Sequence, residues 1–478
     1  MALLSSPTTL PQPLTPGPVR RMLTVLVGTV RGARHAALEP SASREQPRLT
    51  SALVIATALQ AGQVAILAAM LSLSAITVWV PLATTFRETV QNEDKLGPAL
   101  FDFGVFYSAG KLVAEGRGDE LYEQKSLAEE EQQVLDLPLS GDAKTVFPFY
   151  NPPVAAGVLA PLALLPPLVA AGVFLAISFS VLLAVALLLA RRAGLQGLDG
   201  WIWLAALLGS FATADTLFWG QSAFLVFGIW GAAYLLLSTG RERAGGAALA
   251  LLAIKPQLLL LPLILLLWKR RWKELQGMSA VLALGVMLSV AVSGIGAVTR
   301  YPEFLLQAAS WDGRSGIFIS GMFGWNAFYR SVFGPEAGMT FILVASLAMT
   351  AVTVGLCVYA WRGSWEATER LFRARFAALV LAALLVSPHL YSHEMVVLFL
   401  PIALLIGCMP TAFARRLASL LAVAAWTLLA WHYHLLFSTG LNITTPAVLG
   451  LLLVGALLAR APAPVAESPA KRLGLALP

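Results

Sequence analysis

One aspartate in an aromatic setting is the residue of this chain best suited to take up a proton. Asp102 lies in the stretch FDFGVFY at residues 101–107. A positioned carboxylate can act as the general base that removes a proton from an attacking hydroxyl group. An aspartate here would also suit the N-cap of a helix. Because aromatic side chains flank it on both sides, we interpret Asp102 as a general base and keep the N-cap as the alternative.

Two charged residues in apolar stretches are further candidates. Lys255 precedes Pro256 inside the apolar segment 244–268. An ionisable residue at membrane depth is costly and is therefore a functional candidate, although a lysine can also extend to the membrane surface. Asp215 lies six residues before Gln221. It is expected either to pair with Lys255, to line a cavity, or to lie at the level of the lipid headgroups.

Histidine and arginine supply the candidate contacts to a phosphate. His389 and His393 are four residues apart, a spacing that places two side chains on one face of a helix. Two histidines without a third ligand are a weak metal signal, so we expect no metal and no other cofactor. Arg300, Arg314 and Arg330 are the basic residues of segment 298–336, and a guanidinium there could clamp a phosphate.

Composition identifies the protein as a multi-pass membrane protein. Of the 478 residues, 58% are hydrophobic and 12% are charged, against about 25% charged in a soluble domain. The mean hydropathy is +0.75. The net charge of +7 comes from short basic clusters between apolar runs, which is typical of cytoplasmic loops and argues against nucleic acid as a partner. The two cysteines lie in apolar runs, and we expect no disulfide.

Apolar stretches of about 20 residues predict ten membrane crossings, and the broken segment 244–268 raises the total to about ten to twelve helices. We expect residues 1–50 to be a cytoplasmic tail, disordered or with a surface helix around 20–38. Residues 51–460 form the membrane domain, and 461–478 a second cytoplasmic tail. The distribution of basic residues places segments 87–152 and 298–336 outside the cytoplasmic membrane. The acidic run 129–131 is expected to be a solvated helix face.

Several short motifs along the chain resemble glycosyltransferase family 87. They are DF and FYSAG at 102–110, LY at 121–122, FYNPP at 149–153, GQ at 220–221, AIKP at 253–256, and SP at 387–388 followed by His393. The resemblance implies an all-α fold of the GT-C type and an activity similar to that of polyprenol-phosphate-mannose-dependent α-(1→2)-mannosyltransferases. It also implies that the first outer loop holds the catalytic carboxylate. Many GT-C enzymes have two adjacent acidic residues in that loop, whereas here Phe103 follows Asp102, which favours a single base.

The resemblance implies a hexose transferred from a polyprenyl-phosphate-sugar donor to a lipid or glycan acceptor, within membrane lipids. Asp102 would be the catalytic residue. The residues expected to bind the donor phosphate or substrate are Tyr107, Tyr150, Asp215, Gln221, Lys255, Arg314 and His393. A lipid or sugar transporter with Lys255 and Asp215 at a midplane site is the alternative hypothesis.

Overall fold

The computed structural model describes residues 46–91, 96, 99–135, 147–308, 319–334, 337–365 and 369–461. The predicted tail helix around 20–38 and Arg314 lie outside the described residues. The chain divides into two compact units, residues 1–62 and 63–478. The α-helices are α1 (Gln46–Ser74), α2 (Val80–Gln91), α3 (Phe101–Ala114), α4 (Gln124–Val134), α5 (Pro153–Leu159), α6 (Pro167–Ala193), α7 (Gly197–Leu208), α8 (Phe211–Trp219), α9 (Ala223–Ser238), α10 (Glu242–Ala250), α11 (Pro256–Trp268), α12 (Trp272–Ala308), α13 (Trp325–Phe333), α14 (Met339–Ala360), α15 (Glu369–Val386), α16 (Phe399–Gly407), α17 (Ala412–Thr439) and α18 (Thr444–Leu458).

The prediction of an all-α, multi-pass membrane protein is confirmed, and the described residues contain no β-strand. Six helical stretches of the described chain are long and apolar enough to cross a bilayer, and four shorter apolar helices accompany them. The long ones are Thr57–Gln91, Pro167–Ala193, Gly197–Trp219, Trp272–Ala308, Met339–Ala360 and Ala412–His432. The shorter ones are Ala223–Ser238, Pro256–Trp268, Ser392–Gly407 and Thr444–Leu458.

The helices differ in what their surfaces face. α15 is buried along most of its length and lies in the main apolar core. α12 instead leaves large apolar side chains such as Val286, Met287 and Ile295 more than half exposed. A continuous exposed apolar surface of this kind suits contact with lipid tails. Cys357 and Cys408 are both buried free thiols.

The apolar segment 244–268 is interrupted where the sequence predicted. α10 passes into a short 3₁₀-helix, Leu251–Ile254, and α11 begins at Pro256. Proline is tolerated in the first turn of a helix because no intrahelical bond needs its missing N–H. Lys255 adopts a non-helical conformation at the junction. The interruption therefore places a lysine side chain between two helical segments.

The prediction of a solvated acidic face at residues 129–131 is wrong for two of the three residues. Glu129 is exposed, whereas Glu130 and Glu131 are buried. Glu130 pairs with Lys111 of α3 at 2.7 Å and with Arg117 at 2.8 Å. Helix α4 packs on α3, so the side chains on one face of α4 point towards the protein interior. Basic partners there compensate the buried charge of Glu130.

Candidate active site

Five distant parts of the chain surround a cavity of about 130 Å³. They are the start of α3, the strap Phe147–Pro153, the turn between α8 and α9 that contains Gln221, the junction before α11, and the corner Ser387–Glu394 that leads into a 3₁₀-helix, Ser392–Leu398. Five of the residues predicted from the sequence line this cavity: Asp102, Tyr150, Gln221, Lys255 and His393.

Asp102 lies in the first turn of α3 and is held by an amide. Its Oδ2 accepts a hydrogen bond from Gln221 Nε2 at 2.7 Å. No described residue donates to its other oxygen, Oδ1. The residue at the N-cap of α3 is Leu100, so the N-cap alternative for Asp102 is wrong. Asp102 thus presents a carboxylate oxygen to the cavity.

A glycine allows Gln221 to reach Asp102. Gly220 ends α8 in the left-handed conformation, with φ of 70°. A Cβ atom at this position would lie only 2.5 Å from Cβ of Phe103, so any side chain would push the turn away from α3. Leu100 is also left-handed, with φ of 69°, and its N–H donates to the carbonyl of Phe218 at 2.6 Å. The spacing between Asp102 and Gln221 is therefore fixed by backbone contacts.

Burial raises the pKa of the Asp102 carboxyl group above its usual range, while His393, Gln221 and Lys255 act in the opposite direction. A raised pKa makes the carboxylate a stronger base once it is ionised.

Tyrosine hydroxyl groups hold the strap Phe147–Pro153 in place. Tyr122 donates to the carbonyl of Asn151 at 2.8 Å, and Tyr301 donates to the carbonyl of Tyr150 at 3.0 Å. Asn151 Nδ2 donates in turn to the carbonyl of Ile254 at 2.9 Å. These bonds fasten the strap to the junction that holds Lys255.

Aromatic rings form one side of the cavity. The rings of Tyr150 and His389 are 4.8 Å apart, and those of His389 and Tyr391 are 5.3 Å apart. The hydroxyl group of Tyr150 has no hydrogen-bond partner among the described residues. Burial lowers the pKa of His389 to about 4, so its ring is neutral at physiological pH. This side suits a sugar, whose apolar face packs on aromatic rings and whose hydroxyl groups need partners.

The cationic side of the cavity contains Lys255 and His393, which share one carboxylate. Glu394 Oε1 accepts from His393 Nε2 at 2.9 Å and is also paired with Lys255 Nζ. On its other side, His393 Nδ1 lies 3.8 Å from Asp215 Oδ2. Asp215 Oδ1 accepts from Trp219 Nε1 at 2.9 Å, and its Oδ2 accepts from Ser392 Oγ. Basic and acidic side chains therefore alternate along a buried row that runs from Lys255 through Glu394 and His393 to Asp215.

Two expectations for these residues need correction. The pair suggested between Asp215 and Lys255 is not formed, because Glu394 lies next to Lys255 and takes the role of its counter-ion. Asp215 lies behind His393 instead. His389 precedes the 3₁₀-helix that begins at Ser392, so the two imidazoles do not share a helical face.

The remaining predicted contacts lie elsewhere. The Tyr107 hydroxyl is 3.2 Å from the carbonyl of Ala163 and 2.9 Å from that of Leu165, and Tyr107 is not among the described residues that line the cavity. Arg300 pairs with Glu123 at 2.7 Å. Substrate binding by Tyr107 and by Arg314 stays a prediction.

Sequence reasoning gave no role to Glu394, His389, Tyr391, Asn151 or Gln257, all of which line the cavity. One signal pointed to Glu394, namely an acidic residue directly before a long apolar run. Among the described residues, no group of three or more histidine, cysteine, aspartate or glutamate side chains is arranged to hold a metal ion.

Comparison with known proteins gives one match. The model of glycosyltransferase family 87 matches residues 149–388, half of the chain, from the strap to the corner before His393. No curated protein and no solved structure matches the chain. The matched range includes Tyr150, Gln221 and Lys255, while Asp102 precedes it. The chain therefore belongs to glycosyltransferase family 87, and the protein is a membrane glycosyltransferase.

Proposed function

We propose that the protein transfers a hexose, with mannose the expected sugar, from a polyprenyl-phosphate-sugar to a hydroxyl group of a lipid or glycan acceptor. In this proposal Asp102 is the general base, and the reaction takes place at the outer face of the cytoplasmic membrane. The observation that carries the proposal is one cavity lined both by Asp102, with an open carboxylate oxygen, and by a lysine and a histidine.

The arrangement matches what the transfer requires. The acceptor oxygen attacks the anomeric carbon of the sugar and gives its proton to Asp102. The bond from that carbon to the phosphate oxygen breaks, and its electron pair leaves with the polyprenyl phosphate. A carboxylate supports the first event, and Lys255 and His393 support the second by stabilising the charge that develops on the phosphate. Displacement in a single step inverts the anomeric centre, so a β-linked donor gives an α-linked product.

The surroundings of the cavity suit these substrates. Helices with exposed apolar surfaces allow a polyprenyl chain to remain in lipid while its phosphate reaches the cavity. In the topology predicted from the sequence, most of the basic clusters between apolar stretches lie on the side opposite to segment 87–152, which supports an outer location for Asp102 under the positive-inside rule.

The test is transfer of radiolabelled mannose from polyprenyl-phosphate-mannose to membrane lipids by purified protein. Asp102→Asn is compared with the wild type, and Asp119→Asn is the matched control because Asp119 is exposed. We expect a labelled product with the wild type and the control, and a loss of about 10²-fold or more with Asp102→Asn. Equal activity of all three proteins would refute the role of Asp102. If none of them labels an acceptor from mannose or any other hexose donor, the transferase proposal falls. Substrate movement without a covalent product would favour the transporter.

A further inference from the structure

Glu394 contacts both cationic side chains of the cavity. Its side chain is only 2% exposed. One oxygen, Oε1, accepts from His393 Nε2 at 2.9 Å and pairs with Lys255 Nζ. The other oxygen, Oε2, accepts from the backbone N–H of Tyr391 at 2.8 Å. Both oxygens are thus engaged by donors of this chain.

The start of the 3₁₀-helix fixes the direction of this carboxylate. Tyr391 is the N-cap residue and Glu394 is the third residue after it, so the side chain bonds back to the start of its own helix. With one oxygen tied to the backbone, the other has little freedom. Each oxygen of Glu394 thus has a donor from this chain, whereas Oδ1 of Asp102 has none among the described residues.

Lys255 depends on a counter-ion. Its side chain is only 13% exposed, and an isolated buried ammonium group is costly enough to lose its proton or turn towards water. His393 is buried to a similar degree and lies between Glu394 and Asp215. When His393 carries a proton, the two cations and these two carboxylates balance. Glu394 is the member of this group that contacts both cations.

We propose that Glu394 is a positioning residue that holds the Lys255 side chain in place and keeps His393 in its cationic form, so that the two form a prepared site for the donor phosphate. This inference rests on the proposed function. The site is prepared before the donor binds, because Glu394 is fixed by its own helix rather than by substrate.

The pH dependence of the reaction can distinguish this role from a purely structural ion pair. Removing the negative charge of Glu394 disfavours the protonated form of His393. The alkaline limb of the rate profile then moves to lower pH. The titratable and charged groups around Glu394 are Asp102, Asp215, Lys255, His389 and His393.

The experiment measures kcat/KM for the donor across pH with wild type, Glu394→Gln and Lys255→Met. The matched control is Glu129→Gln, since Glu129 is exposed on α4 and contacts only Lys125, at 3.9 Å, among the described residues. At about pH 6.5 we expect the kcat/KM of Glu394→Gln to be within about threefold of the wild-type value. At about pH 8.5 we expect it to be about 10- to 100-fold below the wild-type value. In the Lys255→Met background, Glu394→Gln should have a smaller further effect, because one of the two cations it serves is gone.

Three outcomes would overturn the inference. The first is a Glu394→Gln protein with the kinetics of the wild type at every pH. The second is a rate loss that is equal at all pH values and follows a lower melting temperature, which marks a structural pair. The third concerns Lys255→Met, which provides the test if Glu394→Gln does not fold. A Lys255→Met protein with a kcat/KM within about threefold of the wild type and an unchanged alkaline limb contradicts the inference.

Binding of polyprenyl phosphate, which carries no sugar, separates this inference from the proposed function. The same proteins are titrated with it at the two pH values, and we expect Glu394→Gln to bind about tenfold more weakly at the higher one. In one outcome, the wild type transfers no sugar while Glu394→Gln still binds polyprenyl phosphate more weakly than the wild type at the higher pH. In that case the inference stands and the proposed function falls. If the wild type transfers sugar and Glu394→Gln alters neither binding nor rate, the inference falls and the proposed function stands.

Discussion

The two acidic residues that face the cavity have opposite surroundings. Asp102 is held at one oxygen by a neutral amide, and no described residue donates to the other. Glu394 is held at both oxygens, by two cationic side chains and by a backbone N–H. A carboxylate that must accept a proton needs an open oxygen, whereas one that holds cations needs none. Chemically identical groups are therefore suited to different tasks by their neighbours.

The sharpest test of this contrast is the kinetics of Asp102→Asn. We expect kcat to fall about 10²- to 10⁴-fold, because the base is removed, while KM for the donor stays within about threefold. Initial rates at several donor concentrations give both constants, and the melting temperature checks that the variant folds. A rise in KM that accounts for the whole loss would place Asp102 in binding rather than in proton transfer.

Loss of the lysine should act in a different way. In Lys255→Met, kcat/KM for the donor should fall about 10- to 100-fold, since a charge-assisted contact to the phosphate is lost. Initial rates at several donor concentrations measure this ratio. Exposed Lys125 supplies the control substitution Lys125→Met, which should leave the kinetics unchanged. Identical rates for Lys255→Met and the wild type would remove Lys255 from the phosphate site.

The Gln221 amide, which donates to Asp102, should affect the pKa of this carboxyl group. Gln221 lowers the pKa of the Asp102 carboxyl group, so Gln221→Leu should raise it further. Because only the ionised carboxylate accepts a proton, the rate is lost as pH falls through that pKa, and the acid limb should move to higher pH. At neutral pH we expect a loss of about tenfold that partly recovers in alkali. A pH-independent loss would mean that Gln221 acts on something other than the ionisation of Asp102.

The smallest effect on activity is expected from a buried carboxyl group beside the cavity wall. Burial raises the pKa of Glu131 to about 8, and its Oε2 accepts from the N–H of Phe147 at 3.1 Å. The folded state therefore favours the protonated form, and the stability that this form gives is present at low pH and lost as pH rises towards about 8.

Glu131→Gln, which stays neutral, should melt at a less pH-dependent temperature than the wild type, with activity at neutral pH within about twofold. Melting curves at several pH values between about 4.5 and 8 measure this. If the melting temperatures of the two proteins change with pH in the same way, Glu131 does not control the pH dependence of stability.

Apolar length was sufficient to predict the six long apolar helices of the described chain and the interruption at Lys255, because both follow from local composition. The cavity residues at motifs, such as Tyr150 and Gln221, were also predicted. The partner of Lys255 was not, since pairing depends on how α11 meets the corner before His393, and no local pattern encodes that contact. The burial of Glu131 was missed for the same reason. Asp102 was assigned from its flanking aromatics, but its hydrogen bond to Gln221 required the fold.

The contacts of the cavity join parts of the chain that are far apart in sequence. Asp102 and Gln221 are separated by 119 residues, and Lys255 and Glu394 by 139. Contacts of such long range form late in folding, because a large loop must close first. Catalytic activity is therefore evidence that the whole membrane domain has assembled. Fragments or incompletely inserted chains should lack the cavity even where their separate helices form.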